Sequence, residues 1–256
     1  MRTKIIAANW KMYKNTKETI SFLKNISSKL KDVNNKEIII APSFTSLEKA
    51  KEYLYKNNFN NVKLACQNIN SKDYAALTGE ISPLMVKDFV NYAIVGHSER
   101  RIFFNETNKI ISEKLISAFK HNLIPILCIG ETKEERENNN YKDAIITMLK
   151  KSLENVDKED IKKIIVAYEP IWAISNGDPS TIPATPEIAQ EMHLIIRNFF
   201  KTIINEYANN IRILYGGSVK EDNIKEFMNK DDIDGVLVGG ASLDFEKFEK
   251  IIKYDY

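Results

Sequence analysis

Short runs of consecutive apolar residues recur along the chain, and longer segments between them return an apolar residue every third or fourth position. The runs are IIAANW at 5–10, EIIIA at 37–41, VKLACQN at 62–68, YAIVG at 92–96, IPILCIG at 124–130, KIIVAYE at 163–169, IRILYGG at 211–217 and GVLVGG at 235–240. Unbroken rather than alternating hydrophobicity is the pattern of strands buried on both faces of a parallel sheet. The intervening KETISFLKNISSKLK (17–31), NKIISEKLISAFKHN (108–122) and EIAQEMHLIIRNFFKTIINEYA (187–208) carry the helical period. Regular strand and helix alternation requires parallel strands joined by crossover helices. Eight such units, with no linker or low-complexity tract between them, predict an α/β fold of one domain over residues 1–256, a closed (β/α)8 barrel. An open doubly wound sheet would want a glycine-rich fingerprint after the first strand, where the chain reads NWKMYK.

Composition narrows the function classes. Of 256 residues, 43% are hydrophobic, enough for one large core. Basic and acidic residues nearly balance, 37 against 35, so the net charge of +2 gives no electrostatic case for nucleic acid or a membrane surface, and the expected partner is a small molecule. Cys66 and Cys128 both fall in strand-like runs and read as core residues of a reduced, cytoplasmic protein. The amino-terminal apolar run stops at Asn9, too short for a signal-peptide core or a membrane span.

Polar residues at the carboxyl ends of barrel strands face the active site. Here the first strand ends in Asn9 and Lys11, the fourth runs into GHSERR with His97 and Glu99, and the sixth ends in Glu169. The seventh and eighth end in the turns GGSV (216–219) and GGAS (239–242). Two glycine turns ahead of helices offer backbone N–H groups to an anion, and phosphate is the expected ligand. With phosphate held there, Glu169 suits removal of a carbon-bound proton while His97 and Lys11 polarise an oxygen. No metal or cofactor is implied: His97, His121 and His193 do not cluster, and the last two lie in helical segments as solvated or packing residues.

The motifs AANWKM, GHSERR, AYEPIWAI, YGGSV and GGASL, in that order, resemble the triosephosphate isomerase family across nearly the whole chain. The resemblance implies a TIM barrel that interconverts dihydroxyacetone phosphate and glyceraldehyde 3-phosphate. It makes Glu169 the base, His97 the neutral electrophile, Lys11 the polarising cation, Asn9 a neighbour of the reacting oxygens and Glu99 a supporting carboxylate. It places phosphate on the amides of Ser175, Ser218, Gly239 and Gly240. It further implies a homodimer in which the loop AALTGEIS (75–82), around Thr78, enters a partner's pocket, with Arg100, Arg101 and Glu106 as ion pairs bracing the His97 loop. The chain departs from the family after Ile174, where SNGDPSTI lengthens the lid that follows the hinge Pro170–Trp172. A sugar-phosphate epimerase of the same fold is the runner-up enzyme, and a phosphate-binding relict barrel the reading without catalysis. The epimerase chemistry, as that family is known, wants metal ligands that the sequence does not offer, and a mere binder has no use for Asn9, Lys11, His97 and Glu169 together.

Overall fold

Eight parallel strands close into a barrel in chain order, with the last hydrogen-bonded back to the first. The structure, a computed structural model, describes residues 2–174 and 183–255; the expectations for Ser175 and for the lid through Ile182 lie outside them. Along the chain run β1 (Lys4–Asn9), α1 (Thr16–Lys29), β2 (Lys36–Ala41), α2 (Leu47–Lys56), β3 (Val62–Cys66), α3 (Pro83–Val86), β4 (Tyr92–Val95), α4 (Ser98–Phe103), α5 (Asn108–Lys120), β5 (Ile124–Ile129), α6 (Lys133–Glu137), α7 (Tyr141–Ser152), α8 (Lys158–Ile161), β6 (Ile165–Tyr168), α9 (Pro186–Ile204), β7 (Arg212–Tyr215), α10 (Ile224–Met228), β8 (Gly235–Val238) and α11 (Phe245–Ile252).

The unbroken apolar runs are explained by two separate cores. Ile5, Ala7, Ile39, Ile94, Ala167 and Leu214 fill the barrel, while their neighbours Ile6, Ala8, Ile38 and Ile40 pack outward on the helices. Each strand is therefore apolar on both faces. Helix starts follow local chemistry: Asn15 and Glu18 form a capping box at α1, and Thr185 caps α9 ahead of Pro186. No helix among the described residues is long and apolar enough to cross a membrane.

Helix ends differ from the periodic pattern, which runs on to 122 and 208, whereas α5 stops at Lys120 and α9 at Ile204. Asn122 and Asn205 adopt left-handed backbone, φ 60° and 50°, and break the helical hydrogen bonding there. Asn58, Asn105, Asn139 and Asn155 take the same conformation at other turns. In a chain with only nine glycines, asparagine fills these positions because its short amide tolerates them better than other side chains do. The strand read as 62–68 ends at Cys66, since Gln67 turns to donate to the carbonyls of Lys11 (2.8 Å) and Ala41 (3.0 Å).

His193 packs in the core as expected, edge-on to Tyr168 with ring centroids 5.9 Å apart and Nδ1 3.1 Å from the Asp232 carbonyl. Burial pulls its pKa from 6.5 to about 4. The unfolded chain therefore takes up this proton near pH 6.5, whereas the fold resists it until about pH 4. Stability present above pH 6.5 is lost across that interval, by up to about 3 kcal/mol. His193→Gln is expected to flatten the dependence of the urea midpoint on pH between those limits. An unchanged slope would show that His193 is not the group responsible.

Candidate active site

The mouth of the barrel is assembled from the strand ends. Beyond β1, the Lys11 amide donates to Asn9 Oδ1 at 3.1 Å, and Lys11 itself has φ 50°. A left-handed lysine costs about 1 kcal/mol or more, so its conformation has to be held from outside. Asn9 and the Gln67 amide on its carbonyl hold it. The Lys11 ammonium then lies 2.6 Å from Glu99 Oε1, with about a quarter of its side chain open to the mouth.

His97 stands at the N-cap of α4. Its Nδ1 accepts from the Glu99 amide at 3.2 Å, which requires a lone pair there and leaves the ring proton on Nε2. Nε2 lies 3.4 Å from Glu169 Oε1, and the Ser98 amide lies 3.4 Å from Glu169 Oε2. Bracing of this segment differs in part from the expected ion pairs. Arg100 and Lys114 both pair with buried Glu106, but Arg101 donates instead to the carbonyls of Gly96 (2.7 Å) and Cys128 (3.0 Å) and to Asn108 Oδ1 (2.6 Å). The planar guanidinium fork is spent on two strand-end carbonyls and the Asn108 amide oxygen at the start of α5.

Glu169 is 2% exposed and begins where β6 ends. Its amide still donates to the Ile129 carbonyl at 2.7 Å, so the neighbouring strand fixes the main chain under the carboxylate. Cys128 sits beside that carboxylate; burial first, and the Glu169 charge second, raise the thiol well above its ordinary range, so it stays protonated and unreactive. Gly216 on the other side leaves the room Glu169 needs, since a Cβ there would come 2.6 Å from Glu169 Cγ. A Cβ at Gly217 would meet the Tyr215 hydroxyl at 2.2 Å. The first glycine turn thus makes room for Glu169 and a core tyrosine as well as exposing its backbone.

The second turn is the open one. A Cβ at Gly240 would meet nothing within 4 Å, and one at Gly239 would lie 3.9 Å from Lys11 Cε, which places this turn beside the lysine. The amides of Ser218, Gly239 and Gly240 donate to no acceptor among the described residues. Ser242 closes the turn by donating to the Gly239 carbonyl at 2.6 Å, and Trp10 ties it to β1 through the Ser242 carbonyl at 3.1 Å.

Sequence reasoning missed Gln67 and Glu131, although both stand at strand ends where the same rule would have found them. Glu131 is fully buried and its Oε1 accepts from the Tyr168 hydroxyl at 3.0 Å and from Trp172 Nε1 at 2.8 Å. Its carbonyl accepts from the Ile171 amide at 3.1 Å, so the segment Pro170–Trp172 is pinned to the end of β5.

Asn9, Lys11, His97, Glu99 and Glu169 are therefore brought together, with Ser218, Gly239 and Gly240 on the adjoining turns. A closed parallel barrel whose carboxyl mouth gathers a carboxylate, an imidazole and a lysine defines a (β/α)8 barrel enzyme. Residues 4–255 match the family model for triosephosphate isomerase, and the chain belongs to that family of isomerases. It is 48% identical over 255 residues to the triosephosphate isomerase of Dictyoglomus turgidum, covering 99% of this chain and 100% of the relative. The corresponding protein of Dictyoglomus thermophilum is 46% identical over 254 residues, and that of Fusobacterium nucleatum 44% over 255, each across 99% of this chain. Both are covered over 99% or more of their own length.

The packing at Gly216 carries its own test. Gly216→Ala is expected to displace the Glu169 side chain and lower kcat by about tenfold or more while the circular dichroism spectrum is kept, because a shift of about 1 Å at a reacting group costs at least that much. Full turnover in this variant would mean that the carboxylate tolerates the crowding.

Proposed function

We propose that this chain interconverts dihydroxyacetone phosphate and D-glyceraldehyde 3-phosphate through an enediolate, as an aldose–ketose isomerase of glycolysis and gluconeogenesis working as one catalytic domain over residues 1–256. The observation that carries this reading is the 3.4 Å approach of His97 Nε2 to Glu169 Oε1, with the ring proton directed to that side. A carbonyl compound seated against both groups has a base at the adjacent carbon and a hydrogen-bond donor at its oxygen. Glu169 removes a proton from one carbon, the electron pair forms the carbon–carbon double bond, and charge gathers on the carbonyl oxygen facing His97. Transfer of the hydroxyl proton from the neighbouring oxygen to the oxygen facing His97, through the imidazole, moves the charge to the other end of the enediolate. Return of the carbon-bound proton to the second carbon completes the isomerisation, with no net oxidation and no cofactor.

Substrate binding has three supports. The amides of Ser218, Gly239 and Gly240 are available to a phosphate dianion, with Ser175 as a further contact that lies outside the described residues. Lys11 reaches the mouth beside Gly239, so moving from Glu99 to the substrate requires only rotation of its flexible stem. Asn9 flanks the same space and keeps Lys11 aimed at it. The cysteines Cys66 and Cys128, buried and unpaired, accord with a reduced cytoplasmic setting.

The active form is a homodimer. Apolar side chains stand exposed on the segments that follow three strands: Met12 and Tyr13 after β1, Tyr74 and Leu77 after β3, and Phe103 and Phe104 at the end of α4 after β4. Grouped exposure of this kind favours contact with a second copy, and a two-fold arrangement lets each chain offer the same surface. The loop around Thr78 is the part that enters the partner.

Glu169→Asp, which retracts the carboxylate by one methylene, is expected to lower kcat on either triose phosphate by about a hundredfold or more with little change in KM. Unaltered turnover would take Glu169 out of the reaction. Sedimentation equilibrium is expected to give a dimer at assay concentrations, and a fully active monomer would contradict the assembly.

A further inference from the structure

The loop after β3 leaves the barrel as an arm. Its neck is closed where the Asn70 amide donates to the Ile81 carbonyl at 2.7 Å and the Asn70 side chain donates to Glu80 Oε2 at 2.6 Å. From Tyr74 to Glu80 every residue is exposed, and the apolar Tyr74 and Leu77 stand in that stretch. Among the described residues, the side chains of Tyr74 to Gly79 form no hydrogen bond or ion pair, and Asp73 at the shoulder ties the arm to the body. Its two oxygens are divided between neighbours on one helix end: Oδ2 lies 2.6 Å from Lys120 Nζ and Oδ1 lies 2.6 Å from His121 Nε2. Lys120 foremost and His121 after it hold the Asp73 carboxyl below its ordinary range. The same helix, α5, reaches the root of the loop through Lys114, whose ammonium is 2.7 Å from Asn68 Oδ1. One helix therefore holds the loop at its root and at its shoulder, and leaves the tip projecting.

We infer that Asp73, clamped by Lys120 and His121, presets this arm for docking on a second copy of the chain, so that the carboxyl end of α5 in one subunit acts at the mouth of the other. The inference rests on the homodimer proposed above and adds a positioning residue to it. An arm without the clamp samples many orientations and must be ordered when it docks, at the cost of backbone and side-chain freedom. A clamped arm has lost that freedom beforehand, so association keeps more of the contact energy. Asp73 touches no reacting group; it acts through the tip that its carboxylate aims. His121 is thereby neither a solvated nor a packing residue but half of the clamp.

The test compares wild type with Asp73→Ala, His121→Ala and their double variant by sedimentation equilibrium and by specific activity across a dilution series. Each single change is expected to raise the dimer dissociation constant on the order of tenfold, since docking must then order the arm. The double variant should be no weaker than the weaker single one, because both remove the same clamp. Specific activity should fall on dilution and return to the wild-type value once the dimer is saturated. Lys120→Met, at an exposed side chain, supplies a second variant if either alanine change impairs folding. An unchanged dissociation constant with only a lower melting temperature would overturn the inference by reducing Asp73 to a stabilising role. Additive effects in the double variant would also overturn it. A monomeric and active wild type would remove the dimer itself, and that result is visible before any variant is made.

Discussion

The hydrogen bond from the Glu99 amide to Nδ1 of His97 is the constraint around which the mouth is arranged. It forms only if that nitrogen keeps its lone pair, so it settles the tautomer and aims Nε2 toward Glu169. The bond exists because α4 starts at this point, with His97 as its N-cap, and Arg101 of the same helix donates back to the strand-end carbonyls of Gly96 and Cys128. Arg100 and Lys114, both on Glu106, secure the far side of the same segment. Glu99 takes part twice: its main chain orients the imidazole and its side chain holds the lysine.

Around Glu169 the position is set by neighbours drawn from other strands. β5 supplies the carbonyl of Ile129, β7 the vacant space at Gly216, and α4 the amide of Ser98. A carboxylate this deeply buried needs donors nearby, and here they are the Ser98 amide at the start of α4 and the ring N–H of His97. The segment Pro170–Trp172 that follows is secured separately, by Glu131 through Tyr168 and Trp172, so Glu169 and this segment share β5 as their foundation.

Much of this was legible in the sequence because buried parallel strands announce themselves as unbroken apolar runs, and because polar residues at the carboxyl ends of such runs face the mouth of a barrel. Glu169, His97 and Lys11 were found that way. Helix ends were less legible: Asn122 and Asn205 continue the polar texture of a helix surface, and only their left-handed backbone shows that the helix has stopped. Arg101 could not be told from Arg100, since adjacent arginines differ by which face of one short helix they occupy. The reason for Gly216 was also hidden. Its neighbour Glu169 lies on another strand, and close approach between distant segments leaves no trace in a local pattern. Asp73 and His121 are likewise joined only by the folding of the arm against α5.

The Lys11 to Glu99 ion pair bears on how ionic strength acts at this site. In the proposed reaction the lysine does not wait as a bare cation; it exchanges a carboxylate of its own chain for an anionic ligand. Salt weakens exposed charge pairs on both sides of such an exchange, and the two losses partly cancel. What remains is the attraction of the backbone amides at Ser218, Gly239 and Gly240, whose dipoles are fixed in the fold and have no mobile counter-charge to surrender. Affinity built in this way is buffered against changes in the cell's ion content, because its most salt-sensitive member is already neutralised before the ligand arrives.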